Sequence, residues 1–439
     1  MRAAFCTLGC KVNHYETQAM TELFRGAGWD IVPFPAPADV YVVNTCTVTA
    51  TGDSKSRQML SKAHNANPEA LVVAVGCYAE MDPASVSALP GVGLVIGTAG
   101  RKEIVEKVTA LLRQRAEGQP SSITPAPVPH GEESAQPHRQ TAQAFENLSA
   151  VRDGRTRATL KIQDGCVNFC SYCVIPYARG PLRSRPLEDV ERELTALSEE
   201  GYREVVLTGI HLASYGKDLG DCDLLDVLEL TRHIPGIRRV RLGSLEPKFA
   251  DERFAKAAAK NEKLCRQFHL SLQSGSDGVL ARMNRRYTAS EYAHAVHLLN
   301  DAMPDCAVTT DVIAGFCGET QAEHAETLAF CREMGFARMH VFPFSLRPGT
   351  RAASMPGQLP KSVKEARARE LIALGKALTD AFLLRQVGTV QEVLVEGDGT
   401  GYTGNYVRVQ VPGAEGAIVK TQILEIQDEL AIGKEIESL

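Results

Sequence analysis

The stretch "KIQDGCVNFCSYCVIPYARG", residues 161–180, sets Cys166, Cys170 and Cys173 in the spacing C-x3-C-x2-C, with no fourth cysteine beside them. A structural zinc site takes four protein ligands in a closed tetrahedron, and a cluster of four irons normally takes four cysteines. Three ligands leave one metal position open, where a substrate or cofactor can bind. The alternative is a zinc site whose fourth ligand is remote. The run follows "ATLKIQD" (158–164), a strand-like segment. In a barrel of alternating strands and helices, chemistry is expected in the loops at the strand C-termini. That placement decides the fold.

Working outward, further strand-like runs occur at 204–210, 238–244, 267–273, 307–316 and 338–345. Helical patterns lie between and after them, such as 187–201 and 365–386. Six β/α units over 156–386 predict an open (β/α)6 barrel of parallel strands. Residues 1–115 carry "VYVVNTCTVT" (40–49) and "ALVVAVGCYA" (70–79), runs typical of buried parallel strands, and a helical pattern at 15–28. They predict a parallel-sheet α/β domain. Residues 116–155, rich in Pro, Ser, Gln and Ala, read as a linker with little to bury. The tail, 387–439, alternates apolar and polar residues between glycine-rich turns, the pattern of a small antiparallel β-barrel. The fold class is therefore α/β with a C-terminal β-barrel.

The chain has 439 residues, 44% of them hydrophobic and 23% charged, ordinary values for a globular protein. Lys11, His14 and Glu16 interrupt the N-terminus too early for a signal-peptide core, and no apolar run approaches a bilayer span. The expectation is a cytoplasmic protein with no membrane partner. Twelve cysteines in such a chain point to metal ligation or catalysis rather than disulfides. A net charge of −5 gives no global sign of nucleic-acid binding, so any RNA contact must be local.

Cys10, Cys46 and Cys77 each end or follow an apolar strand-like run. The carboxyl ends of parallel strands converge on one crevice, so these three could meet around a second metal centre, again one ligand short. Each taken singly could also be a buried small hydrophobe. Cys6 falls inside the first strand, and Cys222, Cys265, Cys306, Cys317 and Cys331 lack metal spacing.

"GCVNFCSYC" resembles the signature of the radical S-adenosylmethionine (SAM) superfamily. There, three cysteines hold a [4Fe–4S] cluster and the methionine moiety of SAM completes the fourth iron. "TLGCKVNHYE", "NTCTVT", "GCYAE", "LSLQSGSDGVLARMNRRY", "TTDVIAGFCGET" and "FPFSLRPGT" narrow the resemblance to the methylthiotransferases, and the tail resembles the RNA-associated TRAM module. "GCKVN" and "IPYARG" are most like the subgroup acting on N6-threonylcarbamoyladenosine at tRNA nucleotide 37. His14 and Cys317 depart from the commoner Gln and Pro of that subgroup.

The resemblance implies two [4Fe–4S] clusters, one on Cys166, Cys170 and Cys173 that cleaves SAM, and an auxiliary one on Cys10, Cys46 and Cys77 that presents sulfur. It implies methylthio transfer to carbon 2 of the adenine, a tRNA anticodon stem-loop as partner, and a flavodoxin- or ferredoxin-type electron donor. The two triads are expected in separately folded domains. Tyr172, between two ligands, and Gly209, Ser244, Glu246, Gln273 and Asp311, at strand ends, are the candidates for cofactor or substrate contact.

Arg183, Arg185, Arg285, Arg286 and Arg347 are candidates for phosphate contact, with Arg179, Arg282 and Arg351 in the same clusters. The tail has Arg408, Lys420 and Lys434 against nine acids, a poor balance for binding phosphates. Tyr402, Asn405, Tyr406 and Arg408 are its candidates, by stacking and shape. The alternatives are the same chemistry on isopentenyladenosine or on a ribosomal-protein aspartate, and a non-catalytic iron–sulfur RNA-binding protein.

Overall fold

Every residue of "VYVVNT" and "LVVAVG" is buried, so both runs must lie inside a sheet covered on its two faces. In the computed structural model, which describes residues 1–118, 144–149 and 156–438, they are β3 (Val40–Thr45) and β4 (Leu71–Gly76). With β1 (Arg2–Thr7), β2 (Asp30–Val32) and β5 (Val92–Ile96) they form a parallel sheet in the order β2-β1-β3-β4-β5. Alternate side chains feed two cores. Val40 and Val42 pack with Phe24, Trp29 and Val108 on one face. Tyr41 and Val43 pack with Leu60, Ala63 and Val86 on the other.

Two compact units make up the chain: Met1–Asp153 with Gln163–Arg185 and Leu346–Ala353, and Gly154–Ile162 with Pro186–Ser345 and Ser354–Leu439. The cysteine loop at 166–173 therefore belongs to the same unit as the N-terminal sheet. The expected linker is corrected in part. Most of 116–155 lies outside the described residues, but 144–149 packs on the N-terminal layer. Leu148 is buried and its carbonyl accepts from the Tyr15 hydroxyl, while Glu146 Oε2 accepts from Arg101 Nε at 2.9 Å.

In the second unit, β6 (Arg157–Asp164) flanks β8 (Glu204–Gly209), which pairs in parallel with β9 (Arg239–Leu242). Two isolated parallel bridges lead on to β10 (Gln267–His269), then β11 (Ala307–Ala314) and β12 (Arg338–Pro343). Within the first unit, a two-residue strand, β7 (Arg183–Ser184), pairs antiparallel with Gln163 and Asp164 at the end of β6. The six strands from β6 through β8 to β12 lie in chain order, as a partial barrel requires. β10 is shorter than the run 267–273. Leu272 N–H donates to the Thr310 hydroxyl, and Gln273 turns into the left-handed region at φ 69°.

The tail closes into a barrel, β13 (Val390–Val395), β14 (Thr400–Thr403), β15 (Arg408–Gln410), β17 (Leu430–Ser438) and β16 (Ile418–Gln427). Its core is shared: Val393, Val409 and Ile423 pack with Ala307, Ala337, Phe382 and Leu383. No described helix is long and apolar enough to cross a membrane.

Candidate functional site

β1, β3 and β4 are neighbours, and Cys10, Cys46 and Cys77 stand just beyond their carboxyl ends. Cys10 is the N-cap of α1 (Lys11–Gly26), Cys46 precedes α2 (Ala50–Ala66), and Cys77 opens α3 (Cys77–Met81). Two glycines make the approach possible. A Cβ on Gly9 (φ 102°) would lie 3.0 Å from Cys46 Sγ, and one on Gly76 (φ 91°) would lie 2.3 Å from Asn44 Oδ1. Burial raises the Cys46 thiol and pushes the Cys77 thiol up to about 12, and negative charge on Cys10 raises both further. None of the three forms a disulfide.

The other triad lies on the loop after β6. Cys166 N–H donates to Gly180 O at 3.1 Å and Cys173 N–H to Cys170 O at 2.9 Å. Phe169 takes a left-handed φ of 46°, and its ring meets Tyr177 edge-on at 5.6 Å. All three cysteines are half-buried, as is Tyr172. Within the same unit, Ala352 N–H donates to Ser171 O at 2.7 Å.

Between these features runs a buried ionic network that the sequence did not announce. Arg179, fully buried, reaches Glu16 Oε1 at 2.6 Å, Asn13 Oδ1 at 2.7 Å and Asp164 Oδ1 at 3.4 Å. Its Nε–H donates to Cys77 Sγ at 3.2 Å. Glu16 also pairs with Arg101 at 2.5 Å, and Asp164 with Arg183 at 3.5 Å. The helix carrying Arg179, Ile175–Arg179, is seated by Val174 and Ala178 against Cys77 and Met81.

Several candidates for phosphate contact are corrected here. Arg183 and Arg185 are buried. Arg185 donates to the Tyr15 hydroxyl at 3.2 Å, and Arg183 Nη2 to Arg179 O at 2.8 Å. Arg347 is buried on Asp53 at 2.5 Å and the Thr47 hydroxyl at 2.6 Å, so it braces the loop after Cys46. Arg285 donates to the Tyr287 hydroxyl at 2.9 Å, whereas Arg286 is exposed. Arg408 is exposed and paired with Asp398 at 2.9 Å.

Tyr402 and Tyr406 stack on each other at 4.8 Å, with Arg157 4.7 Å from Tyr402 and Arg241 4.6 Å from Tyr406. Faces expected to receive bases are largely spent on the protein. Asn405 is buried on Gln386 Oε1 at 2.9 Å.

In the second unit, two of the strand-end candidates, Glu246 and Asp311, pair with histidines. Gly209 ends β8, and Ser244, after β9, is exposed. Glu246 lies 3.3 Å from His211 Nε2, and Gln273 N–H donates to Asp311 O at 2.8 Å. Asp311 Oδ2 lies 3.2 Å from His269 Nε2. His211 and His269, absent from the candidates above, each sit within two residues of a strand end, the same signal that marks their partners.

Among the described residues, no three or more His, Cys, Asp or Glu side chains are gathered around a single ion site. Two sets of three thiols, one sulfur already accepting from a guanidinium, fit thiolate-held iron–sulfur clusters in their donor chemistry.

A strand-end loop with three cysteines on an α/β chain defines a radical SAM protein, and the Radical SAM superfamily model matches residues 160–331. The model of Uncharacterized protein family UPF0004 matches residues 2–97. The chain is 41% identical over 437 residues to the threonylcarbamoyladenosine tRNA methylthiotransferase MtaB of Bacillus subtilis (strain 168), covering 96% of this chain and 93% of that one. It is 36% identical to the protein of the same name from Aquifex aeolicus, covering 96% and 100%. To the tRNA-2-methylthio-N(6)-dimethylallyladenosine synthase of Pelotomaculum thermopropionicum it is 33% identical, covering 90% and 87%. The radical SAM methyltransferase TsrM from Kitasatospora setae shares the fold, with a TM-score of 0.58 at 18% identity over 80% of this chain and 77% of that one. The chain belongs to the radical SAM methylthiotransferase family. Membership brings SAM and a [4Fe–4S] cluster as cofactors.

Proposed function

We propose that this chain adds a methylthio group to carbon 2 of N6-threonylcarbamoyladenosine at nucleotide 37 of tRNA, using two [4Fe–4S] clusters. Cys166, Cys170 and Cys173 would hold the cluster that binds SAM, and Cys10, Cys46 and Cys77 an auxiliary cluster. The observation that carries the reading is the second triad: three thiols at the carboxyl ends of three adjacent strands, in the same compact unit as the signature loop. When bound, these groups supply the radical that an unactivated aromatic C–H requires and the sulfur to be transferred.

The protein's own part is to hold and shield. Asn13 ties the first cysteine loop to Leu8 O at 2.7 Å and Thr45 O at 3.0 Å, Arg347 braces the second through Thr47, and Ala352 N–H braces the signature loop. Tyr172, Gly209, Ser244, Glu246, Gln273 and Asp311 are proposed to contact SAM or the nucleoside, with His211 and His269 orienting Glu246 and Asp311. Arg286, Arg408 and the exposed edge of Tyr406 remain for the anticodon stem-loop, and a flavodoxin or ferredoxin would supply electrons in the cytoplasm. The threonylcarbamoyl substrate is favoured by "GCKVN" and by the names of relatives at 41% and 36% identity.

Mass spectrometry of nucleosides tests the reading. The reconstituted protein is incubated with SAM, a reductant and tRNA bearing either threonylcarbamoyladenosine or isopentenyladenosine. Methylthiolation of the first substrate alone is expected; modification of the second alone would overturn the assignment.

A further inference from the structure

We infer that Arg179 is a positioning residue of the auxiliary centre, fixing the orientation of Cys77 and lending its sulfur a positive charge. The inference rests on the reading of Cys10, Cys46 and Cys77 as the holders of an auxiliary cluster. Arg179 is fully buried, which removes it from phosphate binding. Its guanidinium is fixed by Glu16, Asn13 and Asp164, and only then does Nε–H point at Cys77 Sγ, at 3.2 Å. Asn13 stands three residues beyond Cys10 on α1, so one guanidinium links the element that carries Cys10 with Cys77 itself. Arg179 also lies six residues after Cys173. A shift of the signature loop is therefore felt at a ligand of the other centre. Hydrogen bonds to cluster sulfurs and nearby charge set the reduction potential of an iron–sulfur cluster. A cation at 3.2 Å favours the reduced, more negative form, so its loss should lower the potential.

The test uses the full-length chain with C166A, C170A and C173A, so that any cluster reports on the auxiliary site alone. Its midpoint potential is measured by a redox titration followed by electron paramagnetic resonance, with Arg179 intact and as R179Q and R179K. Folding of R179Q is protected, because Glu16 keeps Arg101 and Asp164 keeps Arg183.

The expected result is a cluster in all three, with R179Q shifted negative by at least a tenfold change in the oxidised-to-reduced ratio, about 59 mV for one electron. R179K should recover part of that shift. Loss of the cluster in R179Q but not in R179K would also support positioning. An unchanged potential in R179Q, or equal loss of cluster from both variants with a collapsed circular-dichroism spectrum, would overturn the role of Arg179 while leaving the auxiliary-cluster reading intact. No cluster even with Arg179 present would overturn that reading, and this inference with it.

Discussion

Taking a guanidinium or a carboxylate out of water costs several kcal/mol, and removing one partner of a buried pair leaves the other charge uncompensated. Glu16 is the extreme case, fully buried between Arg101 and Arg179. Glu16→Gln should destabilise the chain by about 3–5 kcal/mol, read as a lower urea midpoint; a change below about 1 kcal/mol would show that the pair adds nothing. Glu204 on β8 makes a second such site, 2.9 Å from Arg239 and 3.1 Å from Arg241. Burial acts to raise its carboxyl, but the charges of Arg239, Arg241 and Arg157 outweigh it and hold the group below its ordinary value of 4.5. A depressed carboxyl stabilises the fold above that value and loses its contribution as the pH falls below it. The stability difference between the wild type and Glu204→Gln should therefore be constant near neutrality and shrink in acid. A difference that grows below pH 4.5 would reverse the sign.

At the scale of elements, the C-terminal barrel does more than append a module. Arg239 donates to Tyr402 O at 3.0 Å, and Arg241 to Gly404 O at 3.1 Å and Thr403 O at 3.2 Å, from strand β9 to the end of β14 and the turn after it. Hydrogen bonds to charged groups are worth about 1.5–3 kcal/mol each. Deleting residues 387–439 removes these acceptors and bares Phe382 and Leu383 of the shared core. The remainder should melt several degrees lower and show exposed apolar surface, followed by calorimetry and dye binding. An unchanged melting temperature would mean that the barrel is an independent appendage.

Across the whole molecule, what could be read in advance was what is local. Continuous β-branched runs marked β3 and β4, alternating ones the barrel strands, and the spacing 166–170–173 the signature loop. The approach of Cys10, Cys46 and Cys77 was legible only because each ends a strand, and parallel strands end together. The ionic network was not legible. Glu16 and Arg179 meet across 163 positions, and a basic residue beside other arginines carries no mark of burial. The same blindness made Arg183, Arg185 and Arg347 look like phosphate contacts. It also hid the packing of 144–149, a six-residue stretch at the end of a long Pro- and Gln-rich run.

The most direct measurement follows 5′-deoxyadenosine and modified nucleosides in one reaction. The reconstituted chain and its C10A, C46A and C77A triple variant are each given SAM, a reductant and tRNA bearing threonylcarbamoyladenosine. The intact chain should yield both 5′-deoxyadenosine and a methylthiolated nucleoside; the variant should keep about half the iron, still cleave SAM, and yield no methylthiolated nucleoside, since three cysteines suffice at each centre. A variant that still methylthiolates tRNA, or that loses all its iron and all cleavage together, would contradict two centres with separate work.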